Sequence, residues 1–163
     1  MGYTTDFEGE VQISPPLNQA EIEYLNRFAR TRRMDRKNGP YYANPGSDGF
    51  GQDNEPDIVS YNDPPAGQPS LWCQWVPTED GAAIEWDGGE KFYHSEKWMA
   101  YIIDHFLKPG AHASKSGDPQ FKDFTFNHKV SGTIHAYGEY RDDIWRLVVT
   151  DNAVKVERGA IAF

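Results

Sequence analysis

The sequence predicts an α+β fold: a mainly antiparallel sheet with two helices on one face, in ferredoxin-like β-α-β-β-α-β order with a C-terminal hairpin added. Three observations carry this. Phe7, Gly9, Val11 and Ile13 alternate with Glu8, Glu10 and Gln12, the period of a half-buried strand. Two stretches, beginning near Asn18 and near Ser95, space their apolar residues as helices do. Between and after them lie apolar runs punctuated by turn residues, the pattern of paired hairpin arms.

In chain order, Ser14-Pro15-Pro16 ends the first strand, because proline cannot donate to a ladder. Asn18 then caps a helix, Glu21 can close a capping box, and Leu17 can staple onto Ile22. Ile22, Leu25, Phe28 and Ala29 supply its apolar stripe, and it runs to about Arg33. From Met34 to Ser70 no period persists. These residues hold six of the eleven prolines and five of the fifteen glycines, yet also Tyr41, Tyr42, Phe50, Ile58, Val59 and Tyr61. A solvated linker has no use for those side chains, so 34–70 is expected to be a long ordered flap within one domain spanning 1–163. Leu71–Val76 is expected as a strand, Thr78-Glu79-Asp80-Gly81 as its turn, and Ala82–Trp86 as the returning arm, closed by Asp87-Gly88-Gly89. Trp98, Tyr101, Ile102 and Phe106 mark a second helix, Ser95–Leu107, ended by Lys108-Pro109-Gly110. Ala111–Asp118 is small and polar, a mobile connection. Phe124–Tyr137 is a long alternating strand, and Ile144–Thr150 with Ala153–Val156 forms the last hairpin.

Composition narrows the functional classes. The chain has 163 residues, a formal charge of -9 and 14% aromatic residues. An acidic chain lacks the broad basic footprint of general nucleic-acid binding. No apolar run is long enough for a transmembrane helix. The start, MGYTTDFEGE, has no basic n-region or apolar h-region, and the single Cys73 fits a reducing compartment, so a cytoplasmic protein is expected.

The opening MGYTTDFEGE with PPLNQAEIEYLNRFARTRRM resembles a family of small bacterial and bacteriophage-encoded proteins with no assigned activity. So do GQPSLWCQWVPTEDGAAIEWDGGEKFYHSEKWMAYIIDHFLKPGA and the tail GTIHAYGEYRDDIWRLVVTDNAVKV. The resemblance covers most of the chain and leaves 38–60 and 112–123 as its own. It implies a role in conflict between phage and host by analogy, and brings no reaction, cofactor or catalytic residue with it.

Chemistry must therefore be sought in the residues. Arg27, Arg30, Arg32, Arg33, Arg36 and Lys37 place six of the sixteen basic residues within eleven positions, against one acid, Asp35. Arginine forks fit phosphate and carboxylate oxygens. With the aromatic flap beyond, Arg32, Arg33, Arg36, Tyr41, Tyr42, Trp72 and Gln74 form the candidate ligand site. The plainer alternative is a helix C-terminus favoured by positive charge and paired with surface acids. Catalytic and metal readings are poorer. His94, His105, His112, His128 and His135 show no HExxH or short Cys/His spacing, Cys73 has no adjacent base, and no phosphate loop is present. No catalytic residue, metal ligand or cofactor is assigned.

The expected function is a non-enzymatic binder of a small anionic ligand, of the kind of a nucleotide-derived signal sequestered in phage–host conflict. A protein-interaction module that inhibits a host partner and a small hydrolase acting on a nucleotide are the alternatives. Because Leu71–Val76 carries apolar residues on both strand faces, a homo-oligomer, most simply a dimer, is expected as well.

Overall fold

The computed structural model describes residues 2–43 and 57–159. It is an α+β structure. The strands are β1 (Asp6–Ser14), β2 (Asp35–Arg36), β3 (Ile58–Ser60), β4 (Trp75–Pro77), β5 (Ala83–Trp86), β6 (Lys129–Tyr137), β7 (Ile144–Thr150) and β8 (Ala153–Arg158). The helices are α1 (Gln19–Arg30) and α2 (Ser95–Ile102). Six strands make one antiparallel sheet in the order β4-β5-β1-β6-β7-β8, while β2 and β3 pair separately.

Alternation decides which face is covered. Phe7, Val11 and Ile13 of β1, Val130, Ile134 and Ala136 of β6, and Leu147 and Val149 of β7 are buried in one cluster with Leu25 and Phe28 of α1 and Trp98, Met99 and Ile102 of α2. Both helices thus lie on this face. The residues between, Glu8, Glu10, Gln12, Lys129 and His135 among them, are exposed on the other. At α1 the cap expected from sequence is present: Asn18 accepts from the Glu21 N–H, and Glu21 accepts from the Asn18 N–H at 2.8 Å. Leu17 and Ile22 both pack against the turn at Gly81.

Several expected boundaries move. Leu71–Gln74 is not strand, and β4 begins only at Trp75. Its carbonyls have other partners: Leu71 accepts from the Arg33 N–H and Gln74 from the Asp87 N–H. The argument for a dimer from two apolar strand faces therefore loses its strand. The second helix stops being α at Ile102, and Ile103–Leu107 widens into a π turn, with Lys108 N–H reaching back to Ile103. Phe124–His128 is not strand either, since Phe126 takes a positive φ and His128 N–H donates to Leu107. Residues 112–115 form a 3-10 turn anchored by two buried alanines, Ala111 just before it and Ala113 within it. Within 34–70, the β2–β3 pair ties Asp35–Arg36 to Ile58–Ser60, and Phe50 lies outside the described residues.

Candidate functional site

The arginine run divides by depth. After α1 the chain turns at Thr31, and the Arg33 side chain enters the core, fully buried over the Phe28 ring at 4.0 Å. Its guanidinium donates to the carbonyls of Phe28, Pro40 and Tyr42, at 3.3, 3.1 and 2.5 Å, and to Gln68 Oε1 at 3.4 Å. Burial pulls its pKa down to about 10, so it remains charged at neutral pH. Its donors are occupied by the fold. Arg36 is also buried, with its guanidinium 4.3 Å from the Tyr42 ring centroid and Nη1 3.7 Å from Asp57. Arg33 thus holds the flap's first residues to the body, and Arg36 links two segments of the flap itself.

Tyr41 and Tyr42 belong to the same scaffold. The Tyr41 hydroxyl bonds His105 Nδ1 at 2.6 Å, and its carbonyl accepts from the Tyr24 hydroxyl at 2.7 Å. His105 stacks on Tyr101, with centroids 3.8 Å apart, and on His112 at 4.5 Å. Burial, and then the neighbouring His112, push the His105 pKa down to about 4.

Arg32 takes the opposite course from Arg33. It turns out of the fold and lines a groove of about 470 Å³ with Trp72, Gln74, Lys91 and Tyr93. Pro64, Pro69, Ser70, Leu71 and Glu90 complete the lining. Three of the seven candidate residues, Arg32, Trp72 and Gln74, thus meet at one concavity, while Arg33, Arg36, Tyr41 and Tyr42 lie outside its lining.

Each wall has an evident anchor. The Arg33 N–H donates to the Leu71 carbonyl at 2.7 Å and sets the α1 end beside the floor. The Trp98 indole N–H donates to Ser70 Oγ at 2.8 Å. Gln74 clamps the far side, donating from Nε2 to the Glu90 carbonyl and accepting from the Trp86 indole. Its amide is therefore spent on the wall, and it positions the groove instead of reading a ligand.

The groove's cations are not spent. Arg32 uses only Nε, on the Tyr61 carbonyl, and neither Arg32 nor Lys91 forms an ion pair among the described residues. Lys91 and His94 bracket the Phe92–Tyr93 segment, each with a positive φ that non-glycine residues seldom adopt. Phe92 is buried between Lys91 and Tyr93, which are exposed. That in-out pattern in Lys-Phe-Tyr was the one sequence signal for Lys91, which the reading of the arginine run overlooked.

Other ionisable groups are occupied internally. Glu21 and His128, both buried, bond at 2.9 Å, while His128 Nδ1 donates to the Pro15 carbonyl. Burial opposes the charge on each. The mutual bond outweighs it, with help from the Pro15 carbonyl for His128 and from Asn18 and Thr125 for Glu21, so the His128 pKa is raised and that of Glu21 lowered. Burial pushes the Cys73 thiol up to about 12, which leaves it unreactive. A second concavity, at the β7–β8 end, contains Arg146 and Arg158, already paired with Glu157 and Asp143. Among the described residues no three His, Cys, Asp or Glu side chains are placed to share a metal ion, and no helix is long and apolar enough to cross a membrane. No family model, curated protein or solved structure matches the chain.

Proposed function

We propose that the groove binds a small anionic ligand carrying a flat ring, of the nucleotide type, and that the protein acts as a binder and not as a catalyst. One observation carries the reading: two cations without ion-pair partners among the described residues, Arg32 and Lys91, share a concavity with the rings of Trp72 and Tyr93 in a chain of charge -9. The cations suit a phosphate and the rings a base, and aromatic stacking on a nucleobase contributes roughly 1–3 kcal/mol. The surrounding fold is proposed as the split β-α-β-β-α-β arrangement, supported by the neighbour order β4-β5-β1-β6.

The test is calorimetry and thermal shift against mono-, di- and cyclic nucleotides at two salt concentrations. A ligand at about 100 times its Kd adds about 2.7 kcal/mol of stability. Arg32→Ala and Lys91→Ala should weaken binding and flatten its salt dependence, whereas Trp72→Ala should weaken it with the salt dependence intact. If no anion raises the melting temperature, the reading fails.

A second reading, docking of a protein partner, draws on the exposed rings of Tyr93 and Tyr61 near Pro64 and Pro69 (45% and 40% exposed). A stoichiometric protein co-purifying with the chain, in place of a small molecule, would favour it.

A further inference from the structure

The groove beside Trp72 holds more unspent hydrogen-bonding groups than its two cations. Trp75, Trp86 and Trp98 donate their indole N–H groups to the Ser95 carbonyl, Gln74 Oε1 and Ser70 Oγ. The Trp72 indole N–H and the Tyr93 hydroxyl have no such partner among the described residues, and both residues line the groove. Arg32 keeps both terminal nitrogens, and Lys91 its ammonium. Against these donors stands one group that can only accept, the carboxylate of Glu90. It forms neither a hydrogen bond nor an ion pair among the described residues, although Arg32 and Lys91 share its groove.

The local backbone places it there. Consecutive residues of an extended chain point to opposite sides. Lys91 breaks that alternation with a φ of 57°, so Glu90 and Lys91 both line the groove while Phe92 turns into the core. The Glu90 carbonyl accepts from Gln74 Nε2 at 2.8 Å, which fixes its main chain. Its side chain is exposed and open to a ligand.

A carboxylate beside an anion site opposes every anion that brings nothing to it. It favours an anion that brings donors, because its two oxygens accept adjacent O–H or N–H groups in charge-assisted bonds. We infer that Glu90 sets the specificity of the groove by requiring the anionic ligand to present a pair of adjacent donors. This rests on the nucleotide reading above. Within a nucleotide two groups have that chemistry, the cis-diol of ribose and the N1–H and N2–H edge of guanine. Carboxylates accept from ribose hydroxyls in the same way in dinucleotide-binding folds. An anion without the pair leaves Glu90 unmet and feels its repulsion, so the same residue that admits one ligand turns the other away.

The experiment is calorimetry at fixed salt with adenosine and guanosine 5′-monophosphates, their 2′-deoxy forms and inosine 5′-monophosphate, on the parent and on Glu90→Gln. Glutamine keeps the size but offers one acceptor and one donor in place of two acceptors. If ribose supplies the pair, the parent should lose about ten- to a hundredfold in affinity for the 2′-deoxy forms. If guanine supplies it, the same loss should follow replacement of guanosine by inosine. In either case Glu90→Gln should bring the ratio close to one, and should bind the ligand lacking the pair at least as tightly as the parent does. Circular dichroism and melting should be unchanged. Nucleotides that bind the parent without either preference overturn the inference and leave the groove reading in place. A preference that survives Glu90→Gln overturns it too, since the discrimination then belongs to another residue. So does a variant that weakens all five ligands alike, which would make Glu90 structural. Failure of all five to bind also overturns it, while the groove reading falls only if the di- and cyclic nucleotides fail as well.

Discussion

Neighbouring arginines with opposite fates show how little a charge run says by itself. Arg32 and Arg33 are adjacent, yet one lines a groove and the other is fully buried. Arg33→Ala would remove four buried hydrogen bonds, to the carbonyls of Phe28, Pro40 and Tyr42 and to the Gln68 amide oxygen; the Phe28 and Pro40 carbonyls keep the Thr31 N–H and Gln68 Nε2, while a buried acceptor left unmet costs about 1–3 kcal/mol. Urea denaturation should show a loss of about 3 kcal/mol or more. Arg33→Lys should recover only part of it, because an ammonium cannot span that fork of acceptors. Arg32→Ala should stay within about 0.5 kcal/mol of the parent, as surface changes usually do. Equal losses at the two positions would mean that Arg32 is structural too, and that the groove has one cation fewer to offer. Clustering and aromatic content were legible in the sequence. Depth was not, because it depends on where the carbonyls of Pro40 and Tyr42 arrive, and those belong to a stretch without period.

Elements were legible where a local signal agreed with the tertiary outcome. The capping box at Asn18 and Glu21, the β1 alternation and the β7–β8 hairpin all depend on residues close in the chain. The errors share a different cause. Leu71–Gln74 is an apolar run and Phe124–His128 alternates, both patterns of strands, but their main-chain groups are claimed by distant partners, Arg33 and Asp87 in one case and Leu107 in the other. The central pair carries a further constraint that alternation alone does not reveal. Gly132 has a φ of 152°, and a Cβ there would lie 2.9 Å from the Val11 Cα and 3.1 Å from the Glu10 carbonyl oxygen. Both neighbours are backbone of β1, which cannot yield without disturbing the Val11–Gly132 register. Gly132→Ala should therefore destabilise the protein by about 1–3 kcal/mol, measured by thermal and urea unfolding, although alanine suits most sheet interiors better than glycine. A neutral result would mean that β1 and β6 can separate locally at this point.

At the scale of the whole molecule, two histidines should shape how stability depends on pH, and in opposite senses. His105 is held below its ordinary value of 6.5, at about 4, so the unfolded chain binds its proton more readily than the folded one. Stability is then lost as pH falls from about 6.5 towards 4, and the Tyr41 hydroxyl loses its acceptor on Nδ1. His128 is the reverse case. Its folded pKa is raised by Glu21 and the Pro15 carbonyl, so its contribution is complete below 6.5 and is lost as pH rises through the folded value. Glu21, with a lowered pKa, adds stability that is present above 4.5 and disappears only on strong acidification. The three together place the maximum near pH 6.5, with an acid limb belonging to His105 and an alkaline limb belonging to His128. Melting temperatures measured from pH 4 to pH 9 should show both limbs. His105→Gln should flatten the acid limb between 4 and 6.5 and leave the other in place. His128→Gln should lower stability overall, because it strands the buried Glu21 carboxylate, and should abolish the decline above 6.5. An alkaline limb that survived His128→Gln would show that the Glu21–His128 pair is not what joins the start of α1 to the start of β6 in a charge-dependent way.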